Sequence, residues 1–160
     1  SAMNKDEIQN WCDSNRIRCN ITESYSDTVE KGKFVSQSIL ANTVAHQGDK
    51  ITIVYSLGKE PTTEEKNALK KAETYSNSLH MSKQGIYNQL TSSIEGFTKE
   101  AAQYAIDNIE ADWNKNALEK AKTYQTSMNM SSKAIYNQLV SSVEGFTKSE
   151  AQYAIDNLDK

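Results

Sequence analysis

Ile86-Tyr87-Asn88-Gln89-Leu90 is written again as Ile135-Tyr136-Asn137-Gln138-Leu139, 49 positions later. Glu95-Gly96-Phe97-Thr98-Lys99 returns at Glu144 to Lys148, and Ala102 to Asn108 returns at Ala151 to Asn157. Aligned without a gap, Asn67–Glu110 and Asn116–Asp159 agree at 29 of 44 places. A period of this length marks a stacked supersecondary unit, and such repeats usually present a binding surface. The C-terminal two thirds therefore reads as an interaction array rather than a pocketed enzyme.

Each copy divides into three predicted helices. The first opens at the equivalent residues Thr63 and Asp112, both able to cap orphaned backbone N–H groups. Ala68, Leu69, Ala72 and Tyr75 follow at helical spacing, as do Ala117, Leu118, Ala121 and Tyr124. The second starts at Ser82 and Ser131, with Met81 and Met130 placed to staple onto Ile86 and Ile135. It is expected to run to Gly96 and Gly145, residues suited to a left-handed cap. The third starts at Thr98 and Thr147, where Glu150 completes a capping box. Its buried face should hold Ala102, Ala105, Ile106 and Ile109, matched by Ala151, Ala154, Ile155 and Leu158. Trp113 replaces Glu64 of the first copy, and a wedge at the junction between bundles accounts for it. The plainer reading places it in the second bundle's own core.

Residues 4–58 have a different texture. Ile8, Trp11 and Cys12 have the spacing of a short helix over Asp6–Ser14. Ile17, Cys19 and Ile21 alternate with polar residues as in a half-buried strand. Lys33–Ser38 and Ile51–Tyr55 read as two more strands. Residues 59–62 hold the only proline, Pro61, through which no helix runs. The expected order is α+β and then all-α: one helix with three strands over 4–58, a linker at 59–62, and three-helix bundles over 63–111 and 112–160.

The net charge is −3, from 18 basic and 21 acidic residues. Neither half is basic, which argues against nucleic acid, whose binding depends on neutralising phosphates. The third helices offer only Lys99 and Lys148 to a groove. No apolar run approaches the ~18 residues that cross a bilayer. Ser1-Ala2-Met3 reads as the scar of a cleaved tag, so the native protein is expected to begin upstream. Cys12 and Cys19 lie seven apart, which is neither a zinc nor a redox spacing. They read either as small buried hydrophobes or, outside the cell, as a disulfide.

No nucleophile, base and orienting group can be assembled, and no cofactor or metal motif appears. His46 falls in a loop, and His80 becomes Asn129 in the second copy. No enzymatic activity is expected. Tyr75, Tyr87 and Tyr104, with Tyr124, Tyr136 and Tyr153, read as core residues whose hydroxyls reach the surface; a stacking set for sugars or bases is the competing reading. The better partner candidates are carboxylates: Glu95, Glu100, Asp107, Glu110, Asp112 and Glu119, with Glu144 and Asp156 as repeat equivalents. On one face they would steer a basic partner; otherwise they are an ordinary solvated surface.

Ser24–Ser38 and Gly48–Gly58 together resemble a PASTA domain, although the leading strand is missing and Ile39 stands where the family has proline. That resemblance implies an extracellular setting and, as alternative role, peptidoglycan-associated adhesion or scaffolding. Met81–Leu90, Gly96-Phe97-Thr98 and Ala102–Asp107, with their second copies, resemble the Ltp family of host cell surface-exposed lipoproteins. This implies tandem helix-turn-helix bundles on a lipoprotein of a Gram-positive bacterium or prophage. It also implies exclusion of superinfecting phage by protein–protein contact, an acidic face receiving a basic segment of the phage tape-measure protein. Contact with the membrane would come only through an upstream lipid anchor.

Overall fold

A computed structural model of the chain describes residues 3–40 and 43–158. Ser1 and Ala2 of the expected tag scar, and the last two residues of the second repeat, lie outside it. The chain divides after Pro61 into two compact units.

The first unit runs α1 (Lys5–Ser14), β1 (Arg18–Ser24), β2 (Phe34–Gln37) and β3 (Lys50–Ser56). Asn4 and Glu7 form a capping box that starts α1 one residue before the expected start. The sheet order is β1-β3-β2, with β1 parallel and β2 antiparallel to β3. The central β3 carries the strongest β-branched and aromatic alternation. Ile51, Ile53 and Tyr55 are buried with Cys12 and Ile17 in one small core. Cys12 and Cys19 are joined by a disulfide, tying the end of α1 to the start of β1.

The second unit holds six helices: α2 (Thr63–Leu79), α3 (Lys83–Leu90), α4 (Lys99–Asn108), α5 (Trp113–Ser127), α6 (Ser132–Leu139) and α7 (Lys148–Asn157). They form two bundles with matching cores. Ala68, Ala72, Ile86, Leu90, Ala102 and Ala105 are buried in the first, and Ala117, Ala121, Ile135, Leu139, Ala151 and Ala154 in the second. Met81 and Met130 pack against these cores as staples.

Three expectations are corrected. The cap of α2 is Thr62, not Thr63, because Thr62 and Glu65 exchange both bonds of a capping box. Thr62 thus belongs to the first bundle rather than to a linker. Next, α3 and α6 stop at Leu90 and Leu139, not at the glycines. Gly96 and Gly145 do adopt positive φ, but each closes a separate turn by donating to the carbonyl of Ser92 or Ser141, at 2.8 Å in both copies. Finally, Tyr153 is 42% exposed and so is not a core residue, whereas Tyr75, Tyr87, Tyr124 and Tyr136 pack against their cores.

A paired exchange explains the tryptophan. In the first bundle Glu64 accepts the N–H of Thr98 at 2.9 Å, so the capping-box position of α4 needs no acid and holds buried Ala101. In the second bundle that duty passes to Glu150, which accepts the Thr147 N–H at 2.8 Å. The position of Glu64 is thereby released, and Trp113 fills it, packing against the first bundle's core.

Polar contacts complete the junction. Asn116, only 6% exposed, donates to Ser76 Oγ at 2.8 Å and to the Met81 carbonyl at 3.0 Å. The Ser82 hydroxyl donates to the Glu144 carbonyl. Gly85 admits this approach, because a Cβ there would lie 3.3 Å from the Glu144 oxygen. Buried polar groups satisfied in this way fix one register between the bundles.

Candidate functional site

The repeated acids separate into those used within their own bundle and those left to solvent. Glu95 and Glu144 follow the turn after α3 and α6, and each lies against the first helix of its bundle. The Tyr75 hydroxyl donates to Glu95, and the Tyr124 hydroxyl to Glu144. Lys71 Nζ lies 3.2 Å from Glu95, and Lys120 Nζ 3.8 Å from Glu144. Both carboxylates are only 15% exposed. Their persistence in the two copies has an internal explanation: each fastens its turn to a helix.

The electrostatics agree. The Tyr75 hydrogen bond, followed by the Lys71 hydrogen bond and charge, holds Glu95 below its ordinary pKa. Burial, reinforced by Glu144, pushes Tyr124 up to about 12. A depressed carboxylate pKa adds stability above its unfolded value, and this is lost as pH falls through the folded value. Glu95→Gln is therefore expected to flatten the acid limb of the pH–stability profile below about pH 5. Urea midpoints measured from pH 7 to 3 check this. An unchanged acid slope would contradict the assignment.

The other acids are placed differently. Glu100 and Asp107 lie exposed on α4, seven residues apart and so on one helical face, with Gln103 donating to Asp107 at 2.8 Å. Asp156 occupies the matching place on α7, held by Gln152 at 2.8 Å. Glu110 is exposed just before α5. Asp112 caps α5 by accepting the Lys115 N–H at 3.0 Å. Glu119 pairs with Lys122 at 2.9 Å, which lowers its pKa. The outward acids are thus Glu100, Asp107, Glu110 and Asp156; α4 and α7 each add one exposed lysine, Lys99 and Lys148, at their first turn.

An open cleft of about 370 Å³ lies where the bundles meet, between Lys83, Gln84 and Tyr87 of α3, Ile106 of α4, and Gly145 and Thr147. No histidine or cysteine lines it. Among the described residues, no group of three or more His, Cys, Asp or Glu is placed to hold a metal ion. No described helix is long and apolar enough to cross a membrane. The junction donors Asn116 and Ser82 escape sequence reasoning, because asparagine and serine also stand at the solvent-exposed positions 67 and 131. The usable signal is Gly85 against Ala134: a bare backbone in one copy only.

Residues 63–109 and 112–158 each match the profile of the host cell surface-exposed lipoprotein family, Lipoprotein_Ltp. The chain belongs to that family. Membership places the Ltp-type tandem at the host cell surface. Residues 1–57 match the PASTA domain. Among solved structures, Ltp, a superinfection exclusion protein from the Streptococcus thermophilus temperate phage TP-J34, is 43% identical. The match covers 62% of this chain and all of that one, with a TM-score of 0.58. The search of curated proteins returns no match.

Proposed function

We propose that this chain is the extracellular binding part of a lipoprotein that blocks superinfecting phage through protein–protein contact. The observation that carries the reading is identity of 43% over the full length of the solved Ltp exclusion protein. The helical tandem makes the contact, and an upstream lipid anchor keeps it at the membrane. The partner is a basic segment of the incoming phage's tape-measure protein, received by Glu100, Asp107, Glu110 and Asp156. The net charge of −3 and the exposed carboxylates of α4 and α7 support a basic partner. The chain works by occupancy and transforms nothing.

The test is infection of cells that display the full chain against cells that do not. Phage adsorption should be equal, and DNA injection should fall only where the chain is present. Equal injection removes the reading. A second reading, a cell-wall scaffold, draws on the PASTA match over residues 1–57. Co-sedimentation with purified peptidoglycan, without any effect on injection, would favour it.

A further inference from the structure

The helical unit exposes five large hydrophobic side chains: Leu79, Ile94, Met128, Val143 and Tyr153. Singly, exposed apolar residues need no explanation. Here four of the five form two pairs separated by one repeat. Ile94 is 85% exposed and its equivalent Val143 77%; Leu79 is 51% exposed and its equivalent Met128 61%. The two copies differ at 15 of 44 aligned places (44 − 29), yet both keep a β-branched aliphatic and an unbranched or γ-branched one at these sites. At such exposure none of these side chains contributes to a core.

Local structure fastens the turns that carry Ile94 and Val143. Ile94 precedes Glu95, which the Tyr75 hydroxyl fastens to α2. Val143, Glu144 and Tyr124 repeat the arrangement. Leu79 is the last residue of α2, and Met128 caps the end of α5. The turns are pinned by Gly96 to Ser92 and Phe97 to Leu90, with Gly145 to Ser141 and Phe146 to Leu139 as counterparts. Apolar tips on ordered turns meet a partner with little further ordering cost.

We propose that Ile94 with Leu79, and Val143 with Met128, form two equivalent apolar anchors that seat aliphatic or aromatic side chains of a protein partner. The inference rests on the exclusion reading above and names where the contact is made. The charges beside the patches favour protein over lipid. The lysines beside these turns are paired, Lys71 with Glu95 and Lys120 with Glu144, which weakens their pull on an anionic bilayer. The partner segment is therefore amphipathic: apolar residues enter the patches, and basic ones meet the outward acids.

The experiment compares the displayed full chain with Ile94→Thr/Val143→Thr, and separately with Leu79→Ser/Met128→Ser, at equal surface amounts. Melting temperatures should stay unchanged, because the replaced side chains are exposed. Protection against DNA injection should fall by about tenfold or more, the loss expected for interface anchors. Full protection by both variants overturns the anchors and leaves the exclusion reading standing. No protection by the unaltered chain overturns both. Two other results also overturn the proposal. One is binding of the unaltered chain, but not the variants, to phosphatidylglycerol–phosphatidylcholine vesicles. The other is self-association in sedimentation that the substitutions abolish.

Discussion

Replacing Cys12 and Cys19 together by alanine is expected to lower the stability of the N-terminal unit by about 2–3 kcal/mol, the effect of opening a short cross-linked loop. The loss is large for a unit whose buried apolar residues are Cys12, Ile17, Ile51, Ile53 and Tyr55. Domains near this size bury too little surface to stand far above their conformational entropy. The disulfide closes the turn between α1 and β1 with a second covalent link, from the buried side of the helix to the sheet. Cys12 is fully buried, so removing its sulfur also leaves a small cavity under β3. Calorimetry of the full chain reads the result. The N-terminal transition should move down while the helical transition keeps its place. A dithiothreitol-treated wild-type chain should reproduce the shift, and no movement in either sample would sink the assignment.

Asn116→Leu is expected to cost the helical unit about 2 kcal/mol, whereas Asn67→Leu should change it by less than about 0.5 kcal/mol. The two asparagines are repeat equivalents in the first turns of α2 and α5, so the intrinsic propensity change of Asn to Leu cancels in the comparison. What differs is burial: Asn116 is enclosed by Ser76 and Met81, and position 67 faces solvent. Removing the amide strands the Met81 carbonyl and deprives Ser76 Oγ of its donor at a site where water has little access. Leucine cannot repair either. The cooperative melt of the two bundles should also split or broaden, since the junction holds them in one register. Equal effects at both positions would show that the junction bonds contribute nothing.

The repeat itself was plain in the residues, and with it the two cores. Alanine, isoleucine and leucine at fixed helical spacing admit one buried stripe, and identical stripes fold identically. The caps at Ser82, Ser131, Thr98, Thr147 and Asp112 were legible for the same local reason. The end of α3 was not. Gly96 does have the backbone of a helix terminator, but the sequence does not reveal that Thr91 and Ser92 have already turned the chain. Thr62 against Thr63 was equally ambiguous until Glu65 was seen to complete the box. For the site, sequence picked out carboxylates by repetition alone. That criterion joins Glu95 and Glu144, which brace their own turns, to Asp107 and Asp156, which do not. Only a partner for Tyr75 and Tyr124 distinguishes them, and that contact spans 20 residues. Trp113 was readable as a junction residue, while the Glu64–Glu150 exchange that makes room for it depends on a contact that spans 34 residues.

Gly85 makes the two bundles unlike as docking faces. The second bundle docks because its Glu144 carbonyl meets a backbone without a side chain. At the corresponding place on its own far side, the second bundle bears the methyl of Ala134, and Gln125 stands where the first has Ser76. A third bundle arriving in the same pose would press its turn against that methyl and find a longer amide in place of the small hydroxyl. The surface that received one neighbour was thus not copied with the rest of the repeat: near-identical cores carry unlike docking faces.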